Sequence, residues 1–199
     1  MTVLAAIGYV LLLSATVAFL VPIRRLSPLP RGIVVALPAA IGLAKVQGLS
    51  LIAYPAGVLG DLSITTQSLL ALAIAKRVAD VDILPPRDRS FLLATAAATG
   101  WVLYTFSSGL TMIDLYSLGF GSGWFMIALA AAVIACSCYR ARAAWVILLG
   151  VLAFDFRLLT STNVWDYLLD PVLVLFSWGW ALSVLWARLV MPGRRHRAP

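Results

Sequence analysis

Seven apolar segments, separated by short stretches rich in proline, glycine and charged residues, run along the whole chain. Each approaches the length of about 20 apolar residues that a helix needs to cross a bilayer. The pattern therefore predicts an all-α, polytopic transmembrane helical bundle of about seven spans. The predicted spans are residues 2–22, 32–53, 56–75, 91–109, 123–139, 143–158 and 171–190. Span 143–158 is short, and the bend near Pro55 also suits a re-entrant segment, so the number of crossings stays open at these two places.

The composition agrees with a protein embedded in a membrane. Hydrophobic residues make up 62% of the 199 residues, and the mean hydropathy is +0.99, whereas soluble domains are about 45–50% apolar. No polar stretch is long enough to fold as a separate soluble domain, so we expect a single transmembrane domain over residues 1–199. The first apolar run lacks a preceding basic segment, which favours a first span over a cleaved signal peptide.

The positive charges predict an orientation. If the N-terminus lies outside, the predicted cytoplasmic segments contain all of the 15 Lys and Arg residues except Lys45 and Arg157. Cytoplasmic loops of membrane proteins are enriched in Lys and Arg, so we expect a multi-pass protein of the bacterial inner membrane with its C-terminus in the cytoplasm. The net charge of +7 is then a property of these loops, and we expect no nucleic-acid partner. The basic tail RRHR, residues 194–197, suits either a topological anchor or a contact with anionic lipid headgroups.

Lys45 and Asp61 lie in otherwise apolar sequence, where an isolated charge is costly. Read as two antiparallel helices joined near residue 53, spans 32–53 and 56–75 would place both residues at a similar depth, about 12 Å below the bend. The sequence therefore allows an intramembrane ion pair or a shared polar pocket. The alternative is that Lys45 extends its side chain towards the interface while Asp61 caps the start of the third span.

Five aspartates fall at the predicted outer ends of helices, and four charged residues there are candidate binding residues: Asp155, Arg157, Asp166 and Asp170. Asp166 and Asp170 are four residues apart and would share one face of a helix. Asp170 precedes Pro171, which is typical of a helix start. One interpretation is a short interfacial helix with capped ends, and the other is an acidic outer patch that contacts a partner or a cation. No spacing of these carboxylates dictates a metal site.

The chemistry that the chain lacks limits its functions. The only histidine is His196, and there is no Walker lysine motif, which argues against histidine-based catalysis, haem or zinc binding by histidine, and nucleotide hydrolysis. Cys136 and Cys138 would point to different faces of a helix. We therefore predict no catalytic residues, no cofactor and no metal.

Two stretches carry a resemblance to a known family. GLSLIAYPAGVLGDLSITT (residues 48–66) and NVWDYLLDPVL (residues 163–173) resemble segments of a family of small, uncharacterised proteobacterial inner-membrane proteins, which implies no particular activity. Asp61, Leu62 and Ser63 are also similar to the FDLS-type pattern in the membrane segments of alkaline-phosphatase-like headgroup transferases, with Gly60 in place of the aromatic residue.

Three functional hypotheses follow from the sequence. The first is a non-catalytic membrane subunit or accessory protein of a cell-envelope pathway. Its outer polar face would bind a lipid headgroup, a glycan, another membrane protein or a second copy of the chain. The second is a small proton-coupled transporter that uses Lys45 and Asp61. The third is a lipid-modifying enzyme that uses Asp61.

Overall fold

The computed structural model describes residues 2–109 and 112–190, and helix accounts for 76% of it. The tail RRHR, for which the sequence allows a topological anchor or a contact with lipid headgroups, lies outside the described residues. Single turns of 3-10 helix lie at Ile23–Arg25 and Tyr116–Phe120. The α-helices are α1 (Val3–Leu20), α2 (Pro28–Leu43), α3 (Ala53–Leu59), α4 (Ile64–Val78), α5 (Pro86–Ser107), α6 (Gly123–Tyr139), α7 (Ala141–Asp155), α8 (Trp165–Leu168) and α9 (Pro171–Val190). Two strands, β1 (Lys45–Val46) and β2 (Leu49–Ser50), form a hairpin between α2 and α3.

The helical class predicted from the sequence is confirmed. Within the described residues, α1, α5 and α9 are long and apolar enough to cross a membrane, and α2 and α6 are shorter apolar helices. These helices mark the chain as a membrane protein. The number of seven spans and their orientation stay predictions.

The structure differs from the predicted helix pair around Lys45. Helix α2 ends at Leu43, and β1 pairs with β2 in antiparallel register, with Val46 opposite Leu49. The two residues of the turn, Gln47 and Gly48, both have positive φ, at 52° and 84°. This is the backbone that a two-residue hairpin turn requires and that a helix excludes. The short α3 then occupies the start of the predicted third span, and α4 begins only at Ile64.

Helix α1 packs between α2 and α4, whereas α5 packs along α9 and α7 contacts both α4 and α6. Glycine permits two of these contacts to be close. A Cβ on Gly100 in α5 would lie 2.5 Å from the side chain of Val174 in α9, and one on Gly42 in α2 would lie 2.9 Å from the side chain of Leu13 in α1. Small residues at helix contacts are typical of membrane bundles because they let backbones approach.

Charged side chains lie at two opposite ends of the described bundle. At one end, which we call the basic end, Arg31 donates to the carbonyl of Val78 at the end of α4, and Arg77 donates to the carbonyl of Ala18 at the end of α1. Cations at helix C-termini satisfy the last carbonyls and interact favourably with the helix dipole. At the opposite end, which we call the acidic end, the starts of α4 and α9 meet the segment between α7 and α8.

The contribution of Asp82, at the basic end, to the stability of the protein should depend on pH. Its hydrogen bond from the Lys76 ammonium lowers the pKa of the Asp82 carboxyl below its ordinary value of 3.8. A carboxyl whose pKa is lower in the folded state contributes stability above its unfolded pKa and loses it as the pH falls through the folded pKa. We therefore expect wild type to melt at a slightly higher temperature than Asp82→Asn near neutral pH, with the difference disappearing in strong acid. A difference that stays constant down to the lowest pH would contradict this assignment.

Candidate functional site

A buried carboxylate, Asp170, joins the starts of two helices at the acidic end. Asp170 is only 3% exposed to solvent. One carboxylate oxygen, Oδ1, accepts from the backbone N–H of Leu173 in the first turn of α9 at 2.9 Å. The other, Oδ2, accepts from the backbone N–H of Ser63 at 2.9 Å and from the hydroxyl of Thr66. The prediction that Asp170 caps the last helix is confirmed, and its contact with α4 is an addition.

The local sequence explains why Asp170 reaches α4. Ser63 is the N-cap of α4, and its hydroxyl accepts from the backbone N–H of Thr66 at 3.1 Å. The Ser63 hydroxyl already caps α4. The backbone N–H of Ser63 and the hydroxyl of Thr66 remain as donors, and both bond to Asp170. The carboxylate thus faces the positive ends of two helix dipoles, which stabilise an anion without a cationic side chain. Within the described residues, no Lys or Arg forms a salt bridge with Asp170.

Asp166 makes a second link at the acidic end. Its Oδ2 accepts from the Tyr116 hydroxyl at 2.7 Å and from the Ser161 hydroxyl. Burial, followed by the hydrogen bond to Asp166, raises the pKa of the Tyr116 hydroxyl above its ordinary value of 10. Tyr116 therefore remains a neutral donor at physiological pH and holds the segment before α6 against α8.

Asn163 locks the same two segments together. Its amide nitrogen donates to the carbonyl of Tyr116 at 2.9 Å, and its Oδ1 accepts from the backbone N–H of Trp165 at 3.0 Å. The backbone N–H of Val164 donates to the carbonyl of Gly119 at 2.9 Å. A Cβ on Gly119 would lie 1.8 Å from Oδ1 of Asn163, so only glycine fits this position.

Asp61 belongs to a third link. Its Oδ2 accepts from both the backbone N–H and the hydroxyl of Thr160, at 3.0 and 2.7 Å. Gly60, the preceding residue, has a φ of 74°, and its carbonyl accepts from the Tyr9 hydroxyl at 2.7 Å. The loop before α4 is thereby fixed to α1 on one side and to the loop after α7 on the other.

The structure brings some predicted site residues into this network and leaves others on the surface. Asp61, Asp166 and Asp170 make links within the protein, but Asp166 and Asp170 do not share a helix face, because α8 ends at Leu168 and Leu169 is extended. Lys45, Asp155 and Arg157 are exposed. In the described part of the chain, these three residues form no salt bridge, and Lys45 lies on a strand instead of a helix facing Asp61.

Sequence reasoning missed four partners of the aspartates: Ser63, Thr66, Tyr116 and Thr160. Their separations along the chain, from 50 to 107 residues, leave no local signal. Among residues 2–109 and 112–190, no group of three or more His, Cys, Asp or Glu side chains is arranged to hold a metal ion. The hydrogen bonds of Asp61, Asp166 and Asp170 join loops and helix ends to one another.

Comparison with protein-family models, with curated proteins and with solved structures finds no match to this chain.

Proposed function

We propose that this chain is a non-catalytic integral protein of the bacterial inner membrane that serves as an accessory subunit of a cell-envelope pathway. Its acidic end faces outward, its basic end faces the cytoplasm, and the helices α1, α2, α4, α5, α6, α7 and α9 lie in the bilayer. The outward face binds a partner, which is another membrane protein, a lipid headgroup or a glycan.

The single observation that supports this proposal is how the carboxylates of the acidic end are used. Asp61, Asp166 and Asp170 accept hydrogen bonds from groups 99, 50 and 107 residues away in sequence. A general acid, a general base or a nucleophile must instead reach a substrate. Carboxylates that tie the loops together make a fixed platform, and a pre-organised surface binds a partner with less entropic cost.

Three exposed charged residues at the acidic end are available as contacts for a partner. Lys45 lies on the β-hairpin, and Asp155 and Arg157 lie at the end of α7. Each is exposed and without a salt bridge within the described part of the structure. Both signs of charge are present, so a partner with complementary charges would be selected by its pattern and not by net charge alone.

Photo-crosslinking in cells tests this proposal. A photoreactive amino acid is placed at position 45, 155 or 157, and at the exposed positions 25 and 80 of the basic end as matched controls. We expect one discrete adduct from the acidic-end positions and none of that mass from the controls. An adduct of twice the mass of the chain would identify a second copy as the partner. No adduct from the acidic end, or the same adducts from both ends, would overturn the proposal.

A second candidate is a small proton-coupled carrier that uses Lys45 and Asp61. The observation that favours it is the buried carboxylate of Asp170, which forms no salt bridge within the described residues and bonds to Ser63, two residues after Asp61. Ionisable groups within membrane proteins often mark ion pathways. A proton-coupled carrier should show a pH-dependent proton flux into liposomes. Asp61→Asn should abolish this flux while the helical circular dichroism spectrum is retained. Flux equal to that of empty liposomes would exclude it.

A further inference from the structure

One face of α7 combines an arginine at its start with a stripe of exposed apolar side chains. Trp145, Leu149 and Leu152 are 63%, 48% and 43% exposed. They follow Arg142 at spacings of three, seven and ten residues, which places all four side chains along one face of the helix. The opposite face packs in the protein through Ala143, Ala144, Val146, Gly150 and Ala153. The stripe is therefore a surface of the bundle.

The length of this stripe matches one leaflet of a bilayer. From Arg142 to Leu152 the helix rises about 15 Å, and the hydrocarbon core of a bilayer is about 30 Å thick. Arg142 would lie at the level of the headgroups, and Trp145 would lie just below it, where tryptophan is enriched in membrane proteins. Leu149 and Leu152 would lie beside acyl chain.

The charge near Arg142 is positive and incompletely neutralised. Nη1 of Arg142 donates to the carbonyl of Ile83 at 2.9 Å, which fixes the side chain beside the loop before α5. Its other N–H groups have no hydrogen-bond acceptor among the residues that the structure describes. Asp82, on that loop, pairs with Lys76 and also interacts with the charges of Arg89 and Arg142, which lie near it. The other two carboxylates have different partners, since Asp80 lies 4.0 Å from Arg24 and Asp88 lies 4.0 Å from Arg140. Arg89, on the first turn of α5, forms no salt bridge in the described part of the chain.

We propose that this face of α7 binds one anionic glycerophospholipid, with its phosphate at Arg142 and an acyl chain along Trp145, Leu149 and Leu152. A guanidinium group can donate two parallel hydrogen bonds to a phosphate. The positive charge of Arg89 and Arg142 favours a headgroup with net negative charge over a zwitterionic one. The inference rests on the proposed function in one respect, since α7 must lie in the bilayer.

Native mass spectrometry of the full chain in mild detergent measures this preference with dioleoylphosphatidylglycerol and dioleoylphosphatidylcholine as probes. Wild type should bind phosphatidylglycerol more tightly. Arg142→Gln should weaken that binding about fivefold, since one cation near a lipid surface contributes about 1 kcal/mol, whereas Arg142→Lys should retain most of it. Arg25→Gln is the matched control, because Arg25 is an exposed cation at the same basic end, on a 3-10 turn that packs on α2 and α4. Its loss should reduce the preference much less than the loss of Arg142.

Equal binding of the two lipids, or equal losses in Arg142→Gln and Arg25→Gln, would overturn the inference. Cysteine labelling separates this failure from a failure of the proposed arrangement. Leu149→Cys, in a chain with Cys136 and Cys138 replaced by serine, should resist a membrane-impermeant maleimide in proteoliposomes. A protected residue 149 without a lipid preference overturns the lipid site alone. A labelled residue 149 overturns the immersion of α7 and the lipid site together, while crosslinking at positions 45, 155 and 157 still tests the partner.

Discussion

Asp170→Ala should lower the free energy of unfolding by about 3 to 7 kcal/mol. The substitution removes the N-cap of α9, which is worth about 1 kcal/mol. It also leaves the buried N–H of Ser63 and the hydroxyl of Thr66 without their acceptor, which costs about 1–3 kcal/mol for each group that stays unpaired. Unfolding in mild detergent, followed by circular dichroism against temperature or added SDS, measures the change.

Asp155→Ala is the matched control, because it removes an aspartate at the same end of the bundle whose side chain is exposed. Surface substitutions of this kind change stability by about 0.5 kcal/mol or less. Asp170→Asn should fall between the two, since the amide keeps one acceptor oxygen and replaces the other with a donor that faces existing donors. Equal stability of Asp170→Ala and Asp155→Ala would show that the carboxylate does not hold α4 and α9 together.

Gly119→Ala should lower the free energy of unfolding by about 3 kcal/mol, near the upper end of the usual cost of overpacking. The added Cβ would overlap Oδ1 of Asn163 at 1.8 Å and approach the Trp165 ring at 2.6 Å. Relief of the overlap would displace Asn163 from the carbonyl of Tyr116, so the links between these two segments would weaken together. The same unfolding assay measures the loss.

Gly179→Ala provides the comparison for Gly119→Ala. Gly179 lies within α9, is exposed, and has no atom within 4 Å of an added Cβ. Alanine is favoured over glycine in helix interiors by up to about 1 kcal/mol, so this variant should be unchanged or more stable. If both glycine variants unfold alike, the close packing at Gly119 is not as described.

The sequence predicted the helices better than the site. The predicted spans 123–139 and 171–190 coincide with α6 and α9, because a long apolar run bounded by glycine, proline and charge has few alternatives to a helix. The same logic failed at Lys45, where an apolar run contains a two-residue turn. Gln47 and Gly48 adopt positive φ there, and the hydrophobic pattern carries no information about that local backbone choice.

The sequence predicted only part of the site. A helix cap involves residues that are neighbours in the sequence, whereas a tertiary contact joins residues that are far apart in it. Asp170 beside Pro171 indicated a helix start, and Asp170 accepts from Leu173 three residues away. Its contact with Ser63 joins residues 107 apart, and no periodicity reports such a pair. Gly119, in the glycine-rich stretch 119–124, is buried against Asn163, and this contact is also between residues far apart in the sequence.

The β-hairpin between α2 and α3 offers an experimental handle. Its tip, Gln47–Gly48, is exposed, and no atom lies within 4 Å of a Cβ placed on Gly48. Exposed loop tips tolerate inserted peptide better than other positions. A short epitope placed between these two residues would extend into open space, and antibody access to it in intact spheroplasts would report directly on the side of the membrane at which the hairpin resides.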